Sequence, residues 1–473
     1  MKYFFLAAII VLVLKTLDLI YFFQIKEYRF DRFFSGIKEQ GTSAVLYNPV
    51  IHLPAKKLRN FLIFLPILIF LVVFAYFFRP SILTTLIILM LSPIIGFLLT
   101  AFFVSLTGIP VYFYRKKIIN DAKKKIAGSK AVFIGITGSY GKTSAKEMLY
   151  DILKNKYKVA KTDANMNSDI GIALSVIKNL KDDTQYFIAE LGAYKRGEIK
   201  KAAEIVRPTI AVITAIGNQH LSLFGSKKNL VLAKKELLLS LPKNGRIYLN
   251  KDIDSLPDLT SNLNYPICYF SINSKADIYV KDTKTLSDGI TVKIVYKDKA
   301  LPVKIDLLSI RQVSNLLPAV AIAYDLGMTT EEIGGQLLQI KPTDNRLSLK
   351  KGINGSLIID DSYNSNIEGF KTAIETARQY TQPVKIIVTK GIIELGQEKS
   401  ESYEQIVDKI YKAGVKLYTT DRLFKKMDKN NQVLLFKKEK DLGDYLCSML
   451  DQHTLLIIEG KFTQQFIKSI IKL

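Results

Sequence analysis

Two stretches of this chain carry no charge over a length that can cross a lipid bilayer: Phe61 to Phe78 and, after the turn Arg79-Pro80-Ser81, Ile82 to Val104. About 20 apolar residues in a helix cover the hydrocarbon core, and a helix satisfies its own backbone there. The pair predicts a transmembrane hairpin. A third apolar stretch, Tyr3 to Leu14, is interrupted by Lys15 and Asp18 before Leu19 to Phe23, so it spans only if that pair is shielded or near an interface. No small-residue cleavage pattern follows it; Lys26-Glu27-Tyr28-Arg29 comes instead, which argues against a removed signal.

Apolar residues thin out after about residue 112, and the remainder has the mixture of an ordinary soluble protein. With 473 residues the chain exceeds one core. We expect a membrane segment over 1–111, a basic linker over 112–129 and soluble domains beyond. The net charge of +24 raises the question of nucleic acid, but no basic-aromatic module or zinc spacing accompanies it, so none is expected as a partner. Instead Arg115, Lys116, Lys117, Lys123, Lys124, Lys125 and Lys130 follow the last apolar stretch against Asp121 alone, as a cytoplasmic flank facing anionic lipid does. Lys26, Arg29, Arg32, Lys38, Lys56, Lys57 and Arg59 put the connecting segment on the same side and the N-terminus outside. The expected location is the cell membrane, multi-pass, with the soluble domains in the cytoplasm. Cys268 and Cys447 form neither a metal pattern nor a disulfide framework and fit a reducing compartment.

From Ala131 a short β-type run enters Gly135-Ile-Thr-Gly138-Ser139-Tyr-Gly141-Lys142-Thr143-Ser144, and a helical pattern continues through Leu153. Strand, glycine loop and helix N-terminus in that order cradle phosphate with backbone N–H groups; Lys142 can reach the outer phosphates and the Thr143 hydroxyl can bind magnesium. The usual template wants glycine where Ile136 stands, so the strict motif fails by one position. Further on, Tyr186 to Glu190 and Thr209 to Thr214 read as buried strands, the second followed by His220. Strand C-terminal ends line the crevice of a parallel α/β sheet, where Glu190 and His220 could share a divalent ion. Taken singly, Glu190 reads equally as a solvated strand end and a lone histidine as structural.

Taken together these motifs resemble the Mur ligases, which add amino acids or dipeptides to peptidoglycan precursors with ATP. The Gly-x-Thr-Gly-x-x-Gly-Lys-Thr loop is similar to that family's own form and accounts for Ile136. The D-alanyl-D-alanine-adding (MurF) branch is resembled most in Asn165-Met-Asn167-Ser-Asp-Ile-Gly171, Glu190 to Ile199, Ile216 to Ser226, Ala233-Lys234-Lys-Glu236, Asp360-Asp361-Ser-Tyr-Asn-Ser-Asn366 and Gly391-Ile-Ile-Glu394-Leu-Gly396. The resemblance implies ATP held by Gly138, Ser139, Gly141, Lys142, Thr143 and Ser144, with Asn315, Arg346 and Asp361 as further nucleotide contacts. It also implies two magnesium ions, one on Thr143 and one shared by Glu190, His220 and Lys234, the last carrying a CO2-derived carbamate. Lys142, Glu190, His220 and Lys234 would be the catalytic group.

The activity implied is amide-bond formation through an acyl phosphate, most simply the joining of D-Ala-D-Ala to a muramyl tripeptide. Departures stand at Ser309 and Arg311, where the family has glycine and histidine, at Asn345 in place of glycine, and at Ile367 in place of proline. The largest departure is the front, where membrane spans replace the family's uridine-binding domain, so the muramyl-peptide carrier is UDP or a lipid. An amidating relative acting on a lipid-linked precursor and a membrane-bound nucleotide-dependent regulator stay open as alternatives. The expected fold class is α/β: N-terminal transmembrane helices, a P-loop α/β central domain over 130–341 and a Rossmann-like C-terminal domain over 342–473, hinged at Pro342 to Arg346.

Overall fold

A computed structural model describes residues 2–47, 50–77, 81–217, 221–286, 289–392, 395 and 399–472. The chain divides into two compact units, Met1–Ile118 and Ile119–Leu473.

The first unit is helical: α1 (Lys2–Ile25), α2 (Phe30–Gln40), α3 (Thr42–Leu46), α4 (Leu58–Phe77) and α5 (Ile82–Ala127), which passes into the second unit after Ile118. Among the described residues α1, α4 and α5 are long and apolar enough to cross a membrane. In α4, Ile63, Ile67 and Leu71 repeat every four residues and are buried, while Phe61, Ile69, Phe70 and Val72 on the other faces are exposed. That stripe is how an all-apolar helix packs on its neighbours along one side. Lys15 and Asp18 are shielded. Lys15 Nζ donates to Asp18 Oδ2 (2.9 Å) and to the Val45 carbonyl (3.1 Å), and the His52 backbone N–H donates to Asp18 Oδ1 (3.1 Å). The basic stretch expected as a linker over 112–129 is instead helical through Ala127, because Lys, Arg and Ala extend a helix as readily as the apolar residues before them. The Arg79-Pro80 turn lies outside the described residues.

The second unit opens with β1 (Val132–Thr137), α6 (Lys142–Leu153), β2 (Val159–Lys161), α7 (Asp169–Asn179), β3 (Tyr186–Glu190), α8 (Glu198–Val206) and β4 (Ile210–Ile213). There follow α9 (Leu221–Phe224), α10 (Lys227–Leu239), β5 (Arg246–Asn250), α11 (Leu256–Thr260), β6 (Ile267–Ser271), β7 (Ile278–Leu286), β8 (Gly289–Tyr296), β9 (Lys299–Ile305), α12 (Ile310–Asp325) and α13 (Thr330–Leu337). The sheet order is β2-β3-β1-β4-β5-β6-β7-β8-β9. It is parallel from β2 through β7 and ends in the antiparallel run β7-β8-β9. Strand order reverses at β1, so the loop after it opens at the switch point where α/β sheets bind ligands. Ile134, Ile136, Ile188 and Val212 bury that stretch of sheet with Leu149 of α6 and Leu316 and Val320 of α12.

The C-terminal part comprises β10 (Ser348–Lys351), β11 (Leu357–Asp361), α14 (Ile367–Arg378), β12 (Val384–Thr389), α15 (Lys399–Lys412), β13 (Lys416–Thr419), α16 (Arg422–Met427), β14 (Val433–Leu435), α17 (Glu439–Met449), β15 (Thr454–Glu459) and α18 (Gln464–Ile470). Its sheet order is β10-β11-β15-β12-β13-β14, parallel except for β10. Helices cover both faces, as separate apolar clusters led by Phe370, Tyr403 and Phe424 on one side and Leu442, Leu446 and Phe466 on the other.

Candidate active site

The loop between β1 and α6 is built for close approach. Gly141 caps α6 at φ +82°, and a Cβ there would overlap the Asn315 carboxamide from α12. A Cβ on Gly138 would meet Thr214 and the backbone of Ala215. The Ser139 N–H donates to the Ala215 carbonyl (2.8 Å) and Ser139 Oγ to the Gly217 carbonyl (3.3 Å), which ties the loop to the segment after β4. Lys142 Nζ folds back over the loop onto the carbonyls of Gly138 (2.7 Å) and Ser139 (3.2 Å). Burial pulls its ammonium down to about 8, opposed by Glu190 and reinforced by Arg346.

Glu190, at the end of β3, faces this loop. Thr143 Oγ1 donates to its Oε2 (2.9 Å) and Asn167 Nδ2 to its Oε1 (3.0 Å). Lys146, one turn after Lys142 and fully buried, stands 3.5 Å from the same Oε2 and donates to the Thr162 carbonyl (3.0 Å). Burial alone would raise the Glu190 carboxyl, but Lys142, Lys146, Asn167 and Thr143 outweigh it and hold the group below its usual range. A hydroxyl and an ionised carboxylate converging beside a phosphate cradle are hard oxygen donors of the kind magnesium takes, so these residues fit that ion.

Gly138, Ser139, Lys142, Asn167, Gly192, Ala193, Tyr194, Phe224 and Lys234 line one cleft of about 350 Å³. Lys234, on α10, is 3% exposed, with its Nζ 6.0 Å from the centre of the Phe224 ring. Burial, and then the charge of Lys142, push its amine well below the ordinary lysine range. Ser144 follows Thr143 in the first turn of α6. His220 lies outside the described residues, as do Glu394 and Gly396. No group of three or more metal-binding side chains occurs among the described residues.

The C-terminal part touches the middle part through Tyr363 and Glu368. The Arg346 guanidinium stacks on the Tyr363 ring at 3.8 Å, and the Tyr363 hydroxyl hydrogen-bonds Asn165 of the middle part. Asp361 ends β11, with its carboxyl raised by burial to about 7 against the pull of Arg346. Arg311 of α12 pairs with Glu368 of α14 at 2.7 Å. The departures have local reasons: Ser309 caps α12 in a reciprocal box with Gln312, and Asn345 takes φ +60°, a left-handed conformation that asparagine tolerates better than most residues. Thr143 and Glu190 are thus brought into direct contact beside Lys142, which shares a cleft with Lys234, and Asn315 stands against Gly141. Asn167, Lys146 and Tyr363 carry contacts that motif reading did not assign; the placement of Asn167 and Tyr363 inside the quoted motifs was the available signal.

Two domain families match the chain in succession: the Mur ligase middle domain over residues 136–323 and the Mur ligase glutamate ligase domain over 345–462. Over that span the chain belongs to the Mur ligases. Its similar curated relatives are named UDP-N-acetylmuramoyl-tripeptide--D-alanyl-D-alanine ligase. The protein of Buchnera aphidicola subsp. Baizongia pistaciae is 33% identical over 288 residues, 61% of this chain and 62% of the relative. That of Rickettsia prowazekii is 28% identical over 345 residues, 71% of this chain and 76% of the relative. The chain therefore spans just over three-fifths of the length of the Buchnera relative. In fold it is similar to MurF from Acinetobacter baumannii, with a TM-score of 0.69, 23% identity, and 75% of this chain and 80% of that one covered. It is also similar to the Thermotoga maritima MurF ligase in complex with ADP, with a TM-score of 0.67, 23% identity, and 75% and 82% covered.

Proposed function

We propose that this Mur ligase is an ATP-dependent peptide ligase that joins D-alanyl-D-alanine to a muramyl tripeptide in peptidoglycan synthesis, from the membrane. The observation that carries the reading is the cleft in which the glycine cradle, Lys142 and the buried amine of Lys234 converge, with Asn167 of its lining bonded to Glu190, which also accepts from Thr143. The activity for which the relatives are named supports the choice of substrates.

Amide formation from a carboxylate needs the carboxyl oxygen made into a leaving group. Attack of that oxygen on the γ-phosphate forms an acyl phosphate and releases ADP; the incoming amine then displaces phosphate. Both reactants of the first step are anionic, so positioning and charge neutralisation dominate the barrier. Lys142, now on the loop carbonyls, is the cation free to move to the phosphates. Asn315 orders Gly141, and Arg346 and Asp361 would meet the nucleotide from the C-terminal side. Magnesium, when bound by Thr143 and Glu190, supplies charge neutralisation of the phosphates. His220 and Lys234, together with Glu190, would hold a second ion. A neutral amine is the form of lysine that reacts with CO2, and the burial of Lys234 favours that form, which supports a carbamate there.

The three membrane-length helices and the basic residues at their flank support a multi-pass location with the ligase domains in the cytoplasm. With membrane helices at the front of the chain, a lipid-linked muramyl peptide is the finer reading of the acceptor. The test is phosphate release from ATP by the detergent-purified chain with D-Ala-D-Ala and either UDP-linked or lipid-linked muramyl tripeptide, with Lys142→Ala as control. Release that depends on an acceptor and is lost in the variant is expected. Acceptor-independent release would overturn the ligase reading, and use of the UDP-linked acceptor alone would overturn the lipid-linked one.

A further inference from the structure

β15 lies between β11 and β12, and its last residue, Glu459, is the register partner of Asp361, the last residue of β11. Neighbours in register on parallel strands project from the same face. Glu459 is fully buried. Its Oε1 accepts from Ser365 Oγ at 2.9 Å, while its Oε2 is buried without a conventional donor. The Asp361 carboxyl, its neighbour in register, is close enough for the two side chains to act on each other.

Two adjacent carboxylates in a dry site do not both ionise, and a buried oxygen without a partner costs about 1–3 kcal/mol. One proton between them removes both penalties. The surroundings decide where it sits. Asp361 has Arg346 beside it and accepts from the Leu347 backbone, and both favour its anion; the neighbouring Asp360 is itself paired with Lys350 at 2.6 Å. The strongest influences on Glu459 besides burial are Asp361, Ser365 and the Asn366 backbone, none of them a cation.

We propose that Glu459 is a neutral carboxylic acid whose Oε2–H donates to the Asp361 carboxylate, making Glu459 the positioning residue for Asp361 at the nucleotide cleft. Burial pushes both carboxyls up, as a shared proton requires. The role at the cleft rests on the reading above that Asp361 meets the nucleotide; the position of the proton does not.

The test uses the full chain in detergent and two readouts. In infrared spectra, Glu459→Gln should remove the carbonyl stretch of a buried protonated carboxyl. In ADP titrations, Glu459→Gln, whose amide still donates, should bind within about threefold of the unaltered protein, and Glu459→Ala about tenfold more weakly, the loss of one hydrogen bond to a charged group. An infrared spectrum unchanged by Glu459→Gln, or glutamine binding as poorly as alanine, overturns the proposal. If the alanine variant does not fold, the glutamine spectrum decides alone. Failure of the unaltered protein to bind ADP would instead refute the nucleotide reading, while the infrared band would still locate the proton.

Discussion

Replacing Lys146 by methionine tests whether the cleft is held together by charge. The side chain is wholly buried, 3.5 Å from Glu190 Oε2, 3.3 Å from Glu147 Oε1 and 3.0 Å from the Thr162 carbonyl. Removing one partner of a buried ion pair costs about 3–5 kcal/mol when the other charge is left alone. Glu190 keeps Lys142, Thr143 and Asn167, so we expect about 2–3 kcal/mol at pH 7. The sign of the pH dependence follows from the depressed carboxyl of Glu190. Its contribution to stability is present above the unfolded value of about 4.3 and is lost as pH falls through the lower folded value. Below about pH 4 the variant's penalty should therefore shrink toward about 1 kcal/mol, the cost of the Thr162 carbonyl losing its donor. The chain has no tryptophan, so circular dichroism is the probe. At about 2–4 °C per kcal/mol, the midpoint at pH 7 should drop by about 4–12 °C. A double-mutant cycle with Glu190→Gln should give a coupling of about 1–2 kcal/mol. An equal drop at both pH values, or an additive cycle, would refute the argument.

Lys142, drawn down to about 8 by burial, needs its charge to meet phosphate, so ADP affinity should fall as pH rises through 8 and beyond; equal affinities at pH 7 and 9.5 would contradict this. Arg311 and Glu368 are each about one-third exposed, so Arg311→Ala should cost under about 1 kcal/mol, whereas Glu368→Arg sets like charges together and should open the middle and C-terminal parts in small-angle scattering. The Arg311→Glu, Glu368→Arg exchange should close them again. Asp325 accepts from the hydroxyls of Tyr248 (2.6 Å) and Tyr296 (2.7 Å), so Asp325→Ala should lose about 2–4 kcal/mol in thermal unfolding, and Asp325→Asn less.

What the sequence made legible is what repeats locally. The two long uncharged stretches, the strand, glycine loop and helix around Lys142, and the strands leading to Glu190 and Thr214 are patterns of neighbouring residues, and the structure has a helix or strand for each. Even the failed template position has a local cause. Ile136 is a buried core residue of β1, and the glycine before it serves packing, since a Cβ on Gly135 would press on Leu237. What stayed hidden is decided by which strands lie side by side. Glu190 and Glu459 read alike in sequence, each a carboxylate closing an apolar strand. The order β3-β1 sets Glu190 against α6 and its two lysines, which keep it ionised for a cation. The order β11-β15 sets Glu459 against a second carboxylate, where burial raises both and a proton takes the cation's place. The same residue at the same kind of strand end therefore takes opposite charge states, and only the pairing of strands distant in sequence separates the two.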